Sequence, residues 1–202
     1  MEQVDLEALA RVVMGRIFIE LEASGRHVHV TKEQANILFG HGLTKKRPLS
    51  QPGQYLARER VTVVGPKGEF QNVAVLGPER GEAQVEISLT DGRVLGIEPP
   101  VCPSGQVSGS PGCTLIGPRG RVMLTQGVIA AQRHVHITPE DAARLGVRDK
   151  QVVKLQAYTS RPLIFEDVLV RVSPKYATFA HLDYDEANAC GFRQGDLGRI
   201  LP

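Results

Sequence analysis

The sequence predicts a mainly β protein built on small closed barrels with short capping helices. Three observations predict it. Short strand-like segments are numerous and are separated by tight turns, in keeping with 21 Gly and 13 Pro in 202 residues. A strand followed by a helix cap occurs three times. Each time the helix ends at a glycine, and in the second and third copies it gives way to a polar turn and another strand, a corner that small closed β-barrels use.

The elements follow in order. Leu6, Leu9, Val12 and Val13 form one apolar stripe, so residues 2–14 are expected to form a short amphipathic helix packed on the body of the protein. The alternative use of such a helix is docking to a partner shell. Ile17 to Leu21 alternate and read as a strand. Next comes a hexad, Arg26-His27-Val28-His29-Val30-Thr31, which returns as Arg133-His134-Val135-His136-Ile137-Thr138. Thr31 is placed to cap a helix over 32–39, with Gln34 completing a capping box and Gly40 stopping it. Thr138 repeats the device, with Pro139 at the first helical position and Gly146 at the end. In the third copy His181 precedes a cap at Asp183, Glu186 takes the third helical position and Gly191 closes the helix.

Between the hexads, strands are expected at 61–65, 70–76, 83–89, 95–97, 114–117 and 120–124, with turns at 65–68, 90–92 and 117–120. The Ser/Pro/Gly-rich run 99–111 reads as a loop, in which Ser104 and Gly105 can offer hydroxyl and backbone donors. After the second and third helices, 152–155 and 197–200 read as strands.

Composition excludes several classes. A net charge of +2 without Trp gives neither a nucleic-acid stripe nor a base-stacking platform. No apolar run reaches the length of a membrane span. The N-terminus lacks the basic-then-apolar pattern of a secretion signal. Cys102, Cys113 and Cys190 show no C-x-x-C spacing, which fits a reducing cytosol and argues against a cysteine-ligated zinc site.

Four of the six histidines fall in the two hexads. In an extended segment, side chains two apart share a face, so His27 with His29, and His134 with His136, each form a metal half-site suited to Zn, Cu, Fe or Ni. His181 joins them through the repeat. His41 reads as a solvated loop residue. Among the carboxylates Glu86 stands out. It shares a strand face with Gln84 and Ser88, and Arg80 lies in a turn placed to project over that face. A guanidinium beside a metal-bound carboxylate suits phosphate chemistry.

These stretches together, with Pro99-Pro100, Ser108-Gly109-Ser110-Pro111-Gly112 and His181-Leu182-Asp183-Tyr184-Asp185-Glu186-Ala187-Asn188, make a chain that resembles the PduL-type phosphate acyltransferases (phosphotransacylase, phosphate propanoyltransferase) from about residue 15 onward. The resemblance implies transfer of a short acyl group, acetyl or propanoyl, between coenzyme A and inorganic phosphate. It implies two small closed β-barrels, a central one over 26–131 and a discontinuous one from 15–25 and 132–202, with the helix of 1–14 apart. It implies two zinc ions in a cleft, replaceable by other divalent transition metals. His27, His29 and Glu86 match the ligands of one, and His134, His136 and His181 those of the other. Arg80 matches the phosphate-handling arginine. Lys45, Lys46 and Arg47 become candidates for the nucleotide end of coenzyme A, with Asn188 and Ser104 as further contacts. Val101-Cys102-Pro103-Ser104-Gly105-Gln106 departs from the family pattern, where Arg is expected for Cys102 and Asp for Gln106. No nucleophilic triad is present, so direct attack by phosphate is expected. A homodimer in the cytoplasm is expected too, with a bacterial microcompartment as the setting if 2–14 docks to a shell protein. Two other readings compete: a di-metal hydrolase of thioester or phosphoester bonds, and a non-enzymatic zinc-stapled binding module.

Overall fold

The hydrophobic pattern resolves into two separate cores. A computed structural model describes residues 13–15 and 17–201. Residues 13–15 are helical; the rest of the expected N-terminal helix lies outside the described residues. Contacts divide the chain into two units. One takes the residues up to Ala23, Arg133–Leu182 and those from Glu186; the other takes Ser24–Gln132 and Asp183–Asp185. Among the described residues no helix is long and apolar enough to cross a membrane.

The first unit is a closed barrel of six strands. These are β1 (Ile19–Ser24), β11 (His134–Ile137), β12 (Val152–Tyr158), β13 (Leu163–Val172), β14 (Phe179–Asp183) and β15 (Leu197–Leu201), in the order β1-β14-β11-β13-β12-β15. Closure comes from β1 pairing antiparallel with β15, Ile19 opposite Gly198 and Glu20 opposite Leu197. Leu21, Val135, Ile137, Leu155, Val170 and Leu182 fill the interior.

The second unit is a nine-stranded sheet. Its strands are β2 (His27–His29), β3 (Lys45–Pro48), β4 (Tyr55–Val64), β5 (Glu69–Gly77), β6 (Gln84–Glu86), β7 (Val101–Cys102), β8 (Cys113–Ile116), β9 (Arg121–Leu124) and β10 (Val128–Ala131). The path is β7-β10-β6-β2-β5-β4-β8-β9, with β3 on β4. Within it, β10-β6-β2-β5-β4-β8 repeats the barrel order strand for strand. It does not close, because β8 gives its outer edge to β9, with Cys113 opposite Leu124 and Ile116 opposite Arg121. The mainly β fold with a closed barrel is as the sequence predicts; the second sheet stays open rather than forming another closed barrel.

The repeat extends to details. In both units the H-x-H strand lies between an antiparallel and a parallel partner. His27 is opposite Glu86 and parallel to Ala74; His134 is opposite His181 and parallel to Leu169. Two residues before each parallel partner stands a residue in the left-handed region, Asn72 at φ 58° and Asp167 at φ 52°. The register of each long hairpin shifts there, between Val61 and Val63 and between Val153 and Leu155. Asn and Asp tolerate this bulge conformation better than other side chains.

Four helices follow the strands β2, β6, β11 and β14: α1 (Lys32–Phe39), α2 (Leu89–Leu95), α3 (Pro139–Leu145) and α4 (Tyr184–Cys190). The Thr31–Gln34 capping box forms in both directions, at 3.2 and 2.9 Å, and Thr138 accepts from the Asp141 amide at 3.1 Å. α2 corrects the sequence reading of 83–97. The strand stops at Glu86, Ser88 caps a helix through a box with Asp91, and Gly96 closes it at φ 72°. So 90–92 is helix rather than turn, and 95–97 is a helix end rather than a strand. The alternation of Val85, Ile87 and Leu89 mimics a strand running on through Leu89. The polar commitments of Ser88 and Asp91 end it sooner.

Candidate metal centres and active site

Each H-x-H strand meets a third ligating residue because of register. Glu86 stands opposite His27 and two residues before the Ser88 cap. His181 stands opposite His134, likewise just ahead of its helix. The ligand atoms of His27, His29 and Glu86 all lie within 4.8 Å of one another, as do those of His134, His136 and His181. These two groups bring together the six residues the sequence singles out.

In the open sheet, backbone carbonyls orient the imidazoles. Nδ1 of His27 donates to Gly25 O at 2.8 Å and Nδ1 of His29 to Leu76 O at 3.2 Å. Since a carbonyl can only accept, both rings keep Nε2 for a metal. Glu86 is held by one oxygen. Oε1 accepts from Ser104 Oγ at 2.8 Å and from Gln84 Nε2, while Oε2 lies 3.6 Å from His27 Nε2. Gln84 also accepts from the Gly105 amide at 2.7 Å, tying the 103–106 loop to the carboxylate.

Charge favours Glu86 and His29 as donors. Burial alone would raise the Glu86 carboxyl, but His27, His29 and the Ser104 hydroxyl hold it well below the usual range. Burial, with the charges of His27 and Arg80, drives His29 down to about 2. Burial opposes a charged His27, yet Glu86 outweighs it and raises that imidazole. At neutral pH this leaves an ionised Glu86 and a neutral His29, as a divalent metal requires. The charge of Arg80 acts on both histidines, and its amide donates to Val30 O at 2.9 Å.

In the barrel the set is three imidazoles. His134 and His136 are 8 % exposed. The ring of Tyr176 stacks on His136 at 4.1 Å between centroids, and Glu22 lies 3.3 Å from Nδ1 of His181. Two sets of three N/O donors, each leaving coordination positions open, fit divalent transition metals used in catalysis better than closed four-ligand structural sites.

The arginine opening each hexad is a clamp. Arg26 makes a fork to Asp91, at 3.0 and 2.7 Å, and Arg133 meets Glu186 at 2.8 Å. Asp91 lies five residues after Glu86, and Glu186 five after His181. Each clamp therefore ties the H-x-H strand to the helix behind the third ligand.

A family model described as phosphate propanoyltransferase matches residues 20–193. The phosphate propanoyltransferase of Enterococcus faecalis is 55 % identical over 184 residues, 90 % of this chain and 87 % of its own. That of Listeria monocytogenes is 50 % identical over 198 residues, 97 % and 93 % of the two chains. That of Thermotoga maritima is 52 % identical over 181 residues, 88 % and 86 %. The chain belongs to the phosphate propanoyltransferase family. It is thus an enzyme of the acyltransferase class, and the resemblance drawn from the hexads holds; the hydrolase and binding-module readings are not favoured.

In this phosphate propanoyltransferase family member the other expected site residues lie on several elements. Lys45, Lys46 and Arg47 lie on strand β3, each of them exposed, and Arg47 donates to Pro48 O at 3.5 Å. Asn188 is exposed on α4. Ser104 is at the Glu86 triad. Cys102 donates to Gln106 O at 3.2 Å, so the two departures from the family pattern touch each other. Sequence reasoning missed Gln84, Glu22 and Tyr176 as supports of the ligands. Gln84 was legible as sharing a face with Glu86; Glu22 and Tyr176 gave no local signal.

Proposed function

We propose that the protein converts a short-chain acyl-CoA, acetyl or propanoyl, and inorganic phosphate to the acyl phosphate and coenzyme A, using one divalent metal in each triad. One observation carries this reading: His27, His29 and Glu86 bring their ligand atoms within 4.8 Å of one another, as do His134, His136 and His181, and Arg80 adds its charge to the first set. A phosphate-binding cation beside a Lewis-acid site is what phosphate attack on a thioester needs.

When bound, the metals supply Lewis-acid charge stabilisation to the acyl transfer; the imidazole-rich donors favour zinc, with other divalent transition metals as substitutes. The residues do the rest. Arg80 holds two oxygens of the phosphate dianion in its fork and orients the third toward the thioester carbonyl. Gln84 and Ser104 keep Glu86 in place. Lys46 and Arg47 meet the phosphates of coenzyme A, with the 104 region as a further contact. The phosphate oxygen bonds to the acyl carbon, the carbon–sulfur bond breaks, and the proton of the hydrogenphosphate ends on the departing thiol. The cysteines support direct attack. Burial pushes Cys113 up to about 12 and also raises Cys102 and Cys190, so none offers a ready thiolate. We place the protein in the cytoplasm as a homodimer, within a microcompartment where residues 2–14 dock to a shell.

The test is coenzyme A release from propanoyl-CoA and acetyl-CoA with and without phosphate, with the product identified. Phosphate-dependent release with acyl phosphate formed supports the reading. Phosphate-independent release to free carboxylate refutes it in favour of hydrolysis.

A further inference from the structure

A carboxylate reaches the two triads differently. In the open sheet it is a member of the donor set, Glu86. In the barrel the position of equivalent register is His181, opposite His134 as Glu86 is opposite His27. That donor set is therefore three imidazoles with no negative charge. Yet a carboxylate stands directly behind it. Glu22 Oε2 lies 3.3 Å from Nδ1 of His181.

The placement follows from the barrel. β1 neighbours β14, the strand that carries His181. On β1, Ile19 and Leu21 are 4 and 2 % exposed and fill the core, so alternation puts Glu20 and Glu22 on the opposite face. An acid beside a surface histidine is commonly a screened pair of little consequence. This one differs because the His181 side chain is only 11 % exposed and its ring belongs to a metal-ligand set. A carboxylate accepts and does not donate. Facing Glu22, Nδ1 carries the proton, which leaves Nε2 its lone pair for a ligand role.

We propose that Glu22 is the positioning residue of the three-histidine triad. It fixes the tautomer and rotation of His181, makes the imidazole a stronger donor, and sets a negative charge behind a ligand set that has none of its own. This rests on the reading that the triad holds a metal. Carboxylate–histidine–metal relays of this kind change metal affinity by about 10–100-fold when the carboxylate is removed.

The experiment uses the full chain and Co(II) as the probe, titrated against a competing chelator while the d–d absorption of each site is followed. Wild type, Glu22→Ala, Glu22→Gln and His181→Ala are compared. Glu22→Ala is expected to weaken one of two equivalents by about 10–100-fold and change its absorption envelope, leaving the other equivalent as in wild type. Glu22→Gln, whose amide oxygen still accepts from Nδ1, is expected to recover part of that loss and to remain weaker than wild type. Should Glu22→Ala fail to fold, the near-isosteric Glu22→Gln carries the test alone. Wild-type affinity at both sites in either glutamate variant overturns the inference, as does an equal weakening of both sites. His181→Ala separates the two levels. If it removes one equivalent while the glutamate variants bind like wild type, only the role of Glu22 falls; if it removes none, the metal reading of the triad falls with it.

Discussion

Replacing Ser104 by Ala tests how the Glu86 carboxylate is held. The Ser104 hydroxyl donates to Oε1 at 2.8 Å, the Gln84 amide donates to the same oxygen, and Oε2 is left toward His27. A hydrogen bond to an ionised group is worth about 1.5–3 kcal/mol. Glu86 is 8 % exposed, so water replaces the hydroxyl only in part and most of that value is at stake. At 1.4 kcal/mol per decade the loss is about 10–100-fold in metal affinity at this triad, the scale found for supports of metal ligands. The assay is competition with a chromophoric zinc chelator, which resolves two affinities per chain. One is expected to fall and the other to stay. A serine that served only coenzyme A would raise KM for the acyl-CoA and leave both affinities unchanged. That outcome, in a variant whose metal-free thermal midpoint matches wild type, would refute the reasoning.

Three further outcomes are expected. Arg26→Ala strands the nearly buried Asp91 and dissolves the fork at 3.0 and 2.7 Å; since Arg26 is itself partly exposed, the cost is about 2–4 kcal/mol, or roughly 4–16 °C in thermal midpoint for a chain of this size, and an unchanged midpoint would count against the clamp. In Gly112→Ala the new Cβ would sit 1.9 Å from Leu124 O, backbone against backbone where β8 and β9 begin to pair, so denaturant titration is expected to show a loss of about 3 kcal/mol or no folded protein. Asp141 gives a pH signature. Burial would raise its carboxyl, but the Thr178 hydroxyl and Arg144 hold it lower than usual. A depressed carboxyl stabilises the fold above the unfolded value of about 3.9, and the benefit fades as pH falls through the folded value. The stability gap between wild type and Asp141→Asn is therefore expected to shrink from pH 6 to pH 3; a constant gap contradicts this.

The two hexads were legible because every signal in them is local. His-x-His alternation defines a face within three residues, and Thr31 and Thr138 cap helices through bonds to residues three positions on. The third ligand of each triad was legible for unequal reasons. His181 carried the repeat openly. Glu86 was found through the face it shares with Gln84, while its own strand–cap–helix unit stayed hidden. The Val85, Ile87 and Leu89 alternation concealed the Ser88 cap, and the acid that completes that cap is also bound to Arg26, 65 residues away. Supports that depend on strand order were out of reach. Nothing near Glu22 in sequence says that β1 closes the barrel beside β14, so an acid on the polar face of that strand gave no signal. The open edge of the second sheet was hidden for a similar reason. The sequence shows the hairpin of β8 and β9 but not that β9 takes the edge through which the other barrel closes.

The most direct single measurement is elemental metal content per chain, taken on the same preparations in which phosphate-dependent coenzyme A release is assayed, for wild type, Glu86→Ala and His181→Ala. The expected result is about two equivalents in wild type, about one in each variant, and release lost in both variants. Full-rate release from wild-type protein stripped of metal, or a variant that loses its metal and keeps its rate, would contradict the central claim that both triads hold metals the acyl transfer requires.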